Sequence, residues 1–295
     1  MSRSFSLEAG ERLPHGVRRV AAGRTADALE RLRAEDDGGL ATRVHEARKD
    51  LKKLRSLLRL VRGEMGSSAF HRESSAYRDA GRRLAGTRDA QVRLDTLSAL
   101  EHRDGGGATV VPESFRQELV SERRSAEKTP SLDGAIAEIE DAAARIDAWP
   151  LRGEGWDAIA PGVRRAYAGG RRRLKALRSD PSDEAVHELR KRVKDLWYHL
   201  RLLRNAWPGA LDEAAEQAHE ISALLGDHRD LAMLAERARR SAALSDRDLE
   251  SLEARIGAAQ EELLSAAGPI ARRLYAEEPK AFTRRLGIYW KEWRG

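Results

Sequence analysis

The chain has 295 residues and no cysteine, so the sequence excludes disulfide bonds and thiolate chemistry. Its net charge is +6, and no apolar run reaches the roughly 18 residues that a membrane-spanning helix needs. Aromatic residues make up only 5% and β-branched runs are rare, which favours helices over strands. The N-terminal residues lack the apolar core of a signal peptide, and we therefore expect a cytoplasmic protein.

The first half of the sequence predicts a series of amphipathic helices. We expect them over residues 15–33, 41–62, 69–84, 88–101, 113–127 and 132–148. A flexible loop is predicted at the three glycines 105–107. Trp149 and Pro150, followed closely by Gly153 and Gly155, predict a break in the middle of the chain.

The second half predicts a similar series of helices. We expect them over residues 156–177, 184–205, 211–225, 231–240 and 246–267, followed by a C-terminal helical pair. Ser182 follows Pro181 and is predicted to cap the N-terminus of the helix over 184–205. Gly226 is expected to separate the two helices that flank it.

The two halves form an internal repeat in the sequence. VHEARKDLKKLRSLLRLVR (44–62) and VHELRKRVKDLWYHLRLLR (186–204) are identical at 11 of 19 positions without a gap. VRRVAAGR and LAGTRD in the first half are echoed, in the same order, by VRRAYAGGR and LLGDHRD in the second. We therefore predict a single domain over 5–295, with pseudo-twofold-related halves at about 11–150 and 151–295.

Each repeated segment has an apolar stripe and a cationic stripe at helical spacing. The apolar positions, which must face a core, are Val44, Ala47, Leu51, Leu54, Leu58 and Val61, and Val186, Leu189, Val193, Leu196, Leu200 and Leu203. The neighbouring stripes are His45, Arg48, Lys52, Arg55, Arg59 and Arg62, and His187, Arg190, Lys194, Trp197, Arg201 and Arg204. Lys49 and Lys191 lie beside them. Like charges in a line repel each other, which favours a bound anion.

Simpler interpretations of these residues remain open. A basic stripe is typical of a solvated helix face, and a single histidine is typical of helix packing. The recurrence of both features in the two halves favours anion contact, including contact by His45 and His187. Neither helix carries a second metal ligand three or four residues away on the same face, so no metal site is expected. The one alternative is a metal shared across the pseudo-twofold.

Both segments match the V/L-H-x-x-R-K/V-x-x-K/R-x-L-R/W pattern of the CHAD domain, the conserved-histidine α-helical domain. LAGTRDAQVRL and LLGDHRDLAML are similar to the L-G-x-x-R-D segment of that family, and RLYAEEPKAFTRRLGIYWKEW resembles its C-terminal end. The resemblance covers nearly the whole chain. Many members carry a CYTH triphosphatase domain, whose E-x-E-x-K signature is not found in this sequence.

The resemblance implies an all-α fold of two helical bundles around a basic central cavity that binds inorganic polyphosphate, in some members at polyphosphate granules. The contact residues that it implies are His45, Arg48, Lys49, Lys52, Arg55, Arg59, His187, Arg190, Lys191, Lys194 and Arg201. Further candidates are Arg19, Arg62, Arg88, Arg165, Arg204 and Arg229. Arg88 and Arg229 either bind phosphate or are held by Asp89 and Asp230. Trp197 departs from the basic residue at the equivalent Arg55.

We therefore expect a polyphosphate-binding protein that is not an enzyme and uses no cofactor, metal or membrane. The alternatives are a nucleic-acid-binding or protein-interaction module that uses the same basic surface, and an enzyme acting on phosphoanhydrides. Nucleic-acid binding is disfavoured because only Trp197 and Tyr198 offer stacking surfaces within the two segments. Catalysis is disfavoured because Glu46 and Glu188 are matched but no further acids gather with them.

Overall fold

The computed structural model describes residues 3–34, 39–103, 111–127 and 132–295, except for the side chains of residues 86–88, 126 and 127. Every regular element in these ranges is helical, which confirms the predicted all-α class. The helices are α1 (Leu13–Arg33), α2 (Leu40–Leu60), α3 (Arg62–Met65), α4 (Ser67–Arg83), α5 (Gly86–Arg103), α6 (Glu113–Glu127), α7 (Leu132–Ala143), α8 (Trp156–Ser179), α9 (Asp183–Leu203), α10 (Pro208–Ala238), α11 (Asp246–Leu274) and α12 (Pro279–Arg294). A short 3₁₀ turn, Arg204–Ala206, follows α9.

Most helices agree with the sequence prediction, but three parts differ. Helix α7 ends at Ala143 rather than at residue 148. Helix α11 continues through Pro269 to Leu274 instead of ending at residue 267, so the single helix α12 follows it in place of the predicted C-terminal pair.

Gly226 was expected to end a helix, but α10 passes through it without a break. A glycine inside a helix costs about 1 kcal/mol and does not by itself end the helix. Here Gly226 is buried beside Arg190, so the missing side chain leaves room for the guanidinium. The predicted loop at residues 105–107 lies outside the described residues.

Helices α2 and α9, which carry the repeated segments, contact each other directly. The Ser56 hydroxyl donates to the Asp195 carbonyl at 3.3 Å, and His199 Nε2 lies 3.0 Å from the Ser56 carbonyl oxygen. Helix α8 also packs on the end of α2, where a side chain at Gly162 would overlap the backbone of Leu60. This close approach fixes the second half of the chain on the first.

The buried side chains form two clusters. The larger one contains the apolar stripes of α2 and α9, with partners from α1, α3, α4, α7, α8, the N-terminal part of α10, α11 and α12. The smaller one joins α5 and α6 to the C-terminal part of α10 and the N-terminal part of α11. Each cluster contains side chains from before and after residue 150, so the hydrophobic cores do not follow the predicted boundary between the halves. The pseudo-twofold arrangement stays a prediction.

The N-terminal segment before α1 is held on the crossing of α2 and α9. Phe5 and Leu7 are buried in the larger cluster. The backbone N–H of Leu7 donates to the Leu202 carbonyl at 2.9 Å, and the side-chain amide of Asn205 donates to the Leu7 carbonyl at 2.9 Å. Phe5 lies beneath Lys53 of α2 and Arg201 of α9, whose charged groups are 5.8 and 5.9 Å from its ring centroid.

Candidate anion-binding site

The two stripes predicted on each repeated helix differ in burial as expected. All twelve apolar positions of α2 and α9 are buried, and none exposes more than 2% of its surface. The neighbouring stripe stays partly exposed along both helices, with Arg62 and Arg204 exposed at its ends. Burial of one face therefore orients the cations of each helix, because the helical period fixes the angle between the two stripes.

A cavity of about 280 Å³ lies against the basic stripe of α2. Three of its cations come from α2 and two from α4, and they are Arg48, Lys52, Arg55, Arg78 and Arg82. All charged side chains that line this cavity are cations. We call it the α2–α4 cavity. None of its lining residues belongs to α9, so the central cavity shared by both stripes stays a prediction.

Arg55 is the most strongly perturbed cation of this cavity. The pKa of its guanidinium is lowered to about 10, mainly by burial and then by the charge of Arg59, with further lowering by Arg78 and Arg82 and an opposing effect of Asp195. Its Nε is buried and has no hydrogen-bond partner. A buried cation without a counter-ion is costly, and a bound anion would supply both the charge and the missing acceptor.

Arg59 is directed toward α9 and has a carboxylate partner there. Its Nη1 donates to Asp195 Oδ1 at 2.8 Å, and the Asp195 carboxylate also lies 3.2 Å from Arg192. The side chain of Asp195 is only 8% exposed, so this pair is largely shielded from water. Arg59 therefore links the two repeated helices in the structure.

The N-terminal end of the α2 stripe is more exposed. Lys49 donates to Glu46 Oε1 at 2.8 Å, and His45 Nε2 lies 4.0 Å from the same oxygen. Arg48 donates to the Leu84 carbonyl at 2.9 Å, which holds the end of α4 against α2. An anion at this end would compete with Glu46 for two side chains.

In the second repeated helix, an aromatic cluster stands where α2 carries Arg55. Trp197 is partly buried and lies 4.7 Å, between ring centroids, from Tyr198 and 4.5 Å from His219 of α10. Lys194 and Arg201 lie over the same indole, at 5.8 and 5.5 Å from the ring centroid. The cations of this stripe thus contact aromatic rings, which attract cations through their electron-rich faces.

His187 heads the second stripe and is half-buried. Burial lowers the pKa of its imidazole, and the charges of Lys191 and Arg229 lower it further. Its Nδ1 is buried without a hydrogen-bond partner. Lys191 itself forms an ion pair with Glu188. His187, Lys191 and Arg229 are therefore brought together at one end of α9.

The remaining predicted residues fall in different surroundings. Arg19 donates to both carboxylate oxygens of Glu11, at 2.8 and 2.7 Å, and to the Ser6 carbonyl at 2.9 Å. Arg204 pairs with Asp212 at 3.1 Å. Arg165 is exposed, and its pKa is lowered by burial of part of its side chain and by the charge of Arg62. The side chain of Arg88 lies outside the described part of the structure.

Within the described ranges, histidine, aspartate and glutamate side chains form no group of three or more that could hold a metal ion. No described helix is long and apolar enough to cross a membrane.

The family model of the CHAD domain matches residues 24–239 of the chain. This chain belongs to the CHAD-domain family. The match includes both repeated helices and the α2–α4 cavity. A search of the curated proteins gave no match.

Two solved structures have the fold of this CHAD domain. PptA from Streptomyces chartreusis matches with a TM-score of 0.62 and 14% identity, over 90% of this chain and 100% of PptA. The CHAD domain from the plant Ricinus communis matches with a TM-score of 0.53 and 16% identity, over 97% of this chain and 95% of that one. These matches support the family assignment at the level of the fold.

Sequence reasoning missed two cations of the α2–α4 cavity in this CHAD domain. Arg78 and Arg82 are on α4 and lie outside the repeated segments, so the repeat drew no attention to them. Their spacing of four residues places them on one face of the helix. A basic pair at that spacing in the helix that follows the first repeated segment was the available signal. Asp79 holds both of them, at 2.9 and 3.3 Å.

Proposed function

We propose that this CHAD domain binds inorganic polyphosphate and that the α2–α4 cavity holds part of the chain. The single observation that carries the proposal is Arg55, a largely buried guanidinium whose Nε has no acceptor and whose nearest charged neighbours include other arginines. The family resemblance supports the same ligand. Neither argument depends on the other, because the first uses only the chemistry of the cavity.

The residues of the cavity suit phosphate oxygens. Guanidinium groups form charge-assisted hydrogen bonds with phosphate and can bind it through two parallel N–H groups. Arg48, Lys52 and Arg55 would contact the chain from α2, and Arg78 and Arg82 would contact it from α4. Phosphates bound here would also relieve the repulsion that lowers the pKa of Arg55.

The second repeated helix is proposed to contribute the other side of the site. His187, Arg190 and Lys191 would contact phosphates at its N-terminal end, and Lys194 and Arg201 would contact them near Trp197. The partly exposed state of His187 and Arg190 supports this arrangement. Arg59 is proposed to hold α2 against α9 through Asp195 rather than to bind ligand, because its carboxylate partner is largely buried.

We propose binding rather than cleavage of the phosphate chain. Enzymes that cleave phosphoanhydrides generally bind divalent metal through carboxylates, and the charged lining of the α2–α4 cavity consists of cations. A binding protein of this kind would be found where its ligand is, in the cytoplasm and at polyphosphate granules. Binding alone would then serve a purpose such as polyphosphate storage or granule organisation.

Nucleic acid is the weaker candidate ligand. Proteins that bind single strands usually stack bases on free aromatic faces. Trp197 is stacked on Tyr198 and contacts His219 at a tilted angle, and Lys194 and Arg201 lie over its ring. The aromatic cluster of α9 is therefore already occupied by side chains of the protein.

Titration with long-chain polyphosphate at near-physiological salt, with single-stranded DNA and ATP as competitors, tests the proposal. We expect saturable binding that neither competitor displaces at equal phosphate concentration. The slope of log affinity against log salt should be about −0.7 to −0.9 per phosphate neutralised, by analogy with nucleic acids. Displacement by DNA, or an affinity that does not change with salt, would contradict the proposal.

A further inference from the structure

Helix α8 carries a second basic surface, on the side of the molecule that faces away from the core. Its buried face is made partly of glycines, and Gly162 and Gly170 let the backbone approach Leu60 and the ring of Tyr275. The outer face carries arginine and lysine side chains that are exposed to solvent. Close packing of the glycine face fixes the direction of the cationic face.

Two adjoining cavities run along this outer face. The first, of about 740 Å³, lies between α8 and α12, and its cations are Arg164, Arg165, Arg172, Lys280 and Arg284. The second, of about 680 Å³, lies between α8 and the end of α11, and its cations are Arg171, Arg172, Lys175, Arg178 and Arg272. Because Ala168 and Arg172 line both, the cavities form one continuous groove, which we call the outer groove.

The outer groove is strongly positive and largely without counter-ions. Nine cations line it against two carboxylates, Asp157 and Glu278, whereas the whole chain has a net charge of only +6. Arg171 pairs with Glu278 at 2.6 Å. The other eight cations make no ion pair within the described ranges. Such a concentration of like charge costs stability unless an anion is bound.

The outer groove continues from the basic stripe of α2. Arg62 is the last residue of that stripe, and its charge lowers the pKa of Arg165, which lines the groove. The packing of Gly162 on Leu60 brings these two arginines together. The cations therefore follow one path from Arg55 through Arg62 and Arg165 to Arg172.

We infer that the outer groove is a second polyphosphate-binding segment, which holds the part of a long chain that extends beyond the α2–α4 cavity. This inference rests on the proposed function. The groove suits a flexible linear polyanion because its cations lie in a row, and it requires no base recognition. A second binding segment also makes affinity depend on the length of the polyphosphate chain, which the cavity alone would not do.

The expected length dependence follows from the spacing along the helices. Seven residues separate Arg55 from Arg62 and seven separate Arg165 from Arg172, so at 1.5 Å per residue these two stretches alone add up to about 20 Å. Tripolyphosphate is too short to follow this path from end to end. A long chain that contacts both segments gains affinity, because the second contact forms within an already bound complex.

The test compares two double variants that change the net charge equally. Arg172→Glu/Lys280→Glu reverses two cations of the outer groove, and Arg124→Glu/Arg247→Glu reverses two exposed cations on helices of the smaller core. Affinity for tripolyphosphate and for long-chain polyphosphate is measured for both and for the parent. We expect the groove variant to lose about tenfold or more in affinity for the long chain only. The control variant should keep most of both affinities.

Other outcomes overturn the inference in recognisable ways. Equal losses for the two double variants would show that only overall charge matters, and equal losses for short and long chains would show that the groove is not an extension. Single-stranded DNA that binds the parent more tightly than the long chain, with the preference lost in the groove variant, would assign the groove to nucleic acid. If the parent bound neither polyphosphate, the proposed function itself would fail, and the groove would fail with it.

Discussion

Helices α2 and α9 have 11 of 19 residues in common, yet their basic stripes have different surroundings. In α2, Arg55 lies among Arg59, Arg78 and Arg82, and its pKa is lowered to about 10. At the equivalent position of α9, Trp197 stacks with Tyr198, contacts His219 and lies beneath Lys194 and Arg201. In the first arrangement Arg55 Nε has no acceptor, and in the second the cations lie over an aromatic ring of the protein.

The helices that pack beside α2 and α9 differ in the same way. Aligned through Leu84 and Leu224, the positions of Arg78 and Arg82 on α4 correspond to Ala218 and Ser222 on α10, and both of these are buried. In the second half, small and aromatic residues therefore stand where the first half has arginines. The comparison teaches that two copies of a motif can share a buried core while the side chains around their basic stripes differ.

The largest expected effect is on polyphosphate affinity when one lysine is reversed in charge. Lys52→Glu places a carboxylate in the α2–α4 cavity, and we expect affinity for long-chain polyphosphate to fall about a hundredfold. Lys194→Glu, at the equivalent position, should cost about tenfold, because Lys194 lies over the ring of Trp197. Arg239→Glu, outside both stripes, is the control and should cost less than either. Equal losses for Lys52 and Lys194 would remove the distinction between the two helices.

A second prediction concerns the aromatic cluster. Trp197→Met removes contacts with Tyr198 and His219 and the faces that Lys194 and Arg201 use. We expect the free energy of unfolding to fall by about 2 kcal/mol, with a small change in polyphosphate affinity. Chemical denaturation and ligand titration of the same variant measure the two quantities. A large loss of affinity with unchanged stability would place the binding site at Trp197 instead.

The crossing of α2 and α9 should be sensitive to acid through His199, whose equivalent in α2 is Leu57. Burial lowers the pKa of His199 to about 4, compared with 6.5 for a free histidine. The unfolded chain therefore binds a proton more readily, so stability is retained above about pH 6.5 and is lost as the pH falls toward 4. Between pH 7 and pH 5 we expect a loss of about 1–2 kcal/mol that His199→Leu reduces. An unchanged pH dependence in that variant would assign the acid sensitivity to other groups.

The smallest expected effect is on the pH dependence of ligand binding. Burial and nearby cations lower the pKa of His187 in the empty protein, and a bound polyanion would raise it. Binding then takes up a proton, so affinity should rise as the pH falls from 8 to 6, by about threefold to tenfold for a change of up to one pKa unit. The double variant His45→Gln/His187→Gln should gain much less. Equal gains in the parent and the variant would make both histidines structural.

The sequence was sufficient to predict the helices, the buried stripes and the family. These features follow from periodicity and from a motif that occurs twice, and both are local properties of the chain. Gly226 was misjudged because burial beside Arg190, which keeps α10 continuous, depends on tertiary packing.

The parts of the site that escaped prediction depend on contacts between distant segments. Arg78 and Arg82 complete the cavity from another helix, and Asp195 directs Arg59 toward α9. Arg19 matched Arg165 in the repeat, but its pairing with Glu11 appears only in three dimensions. A stripe of cations in a sequence therefore indicates where an anion can bind, and the structure shows which of those cations already have partners.

The most direct test of the central claim is the affinity for long-chain polyphosphate of Arg55→Met, measured beside Trp197→Met and the parent. Methionine keeps much of the side-chain volume and removes the buried charge. We expect Arg55→Met to lose at least about tenfold in affinity while the empty protein unfolds at the same temperature as the parent or higher. Trp197→Met should keep most of the affinity, while the empty protein unfolds at a lower temperature than the parent. An Arg55→Met variant that binds polyphosphate as tightly as the parent would show that the α2–α4 cavity is not the site.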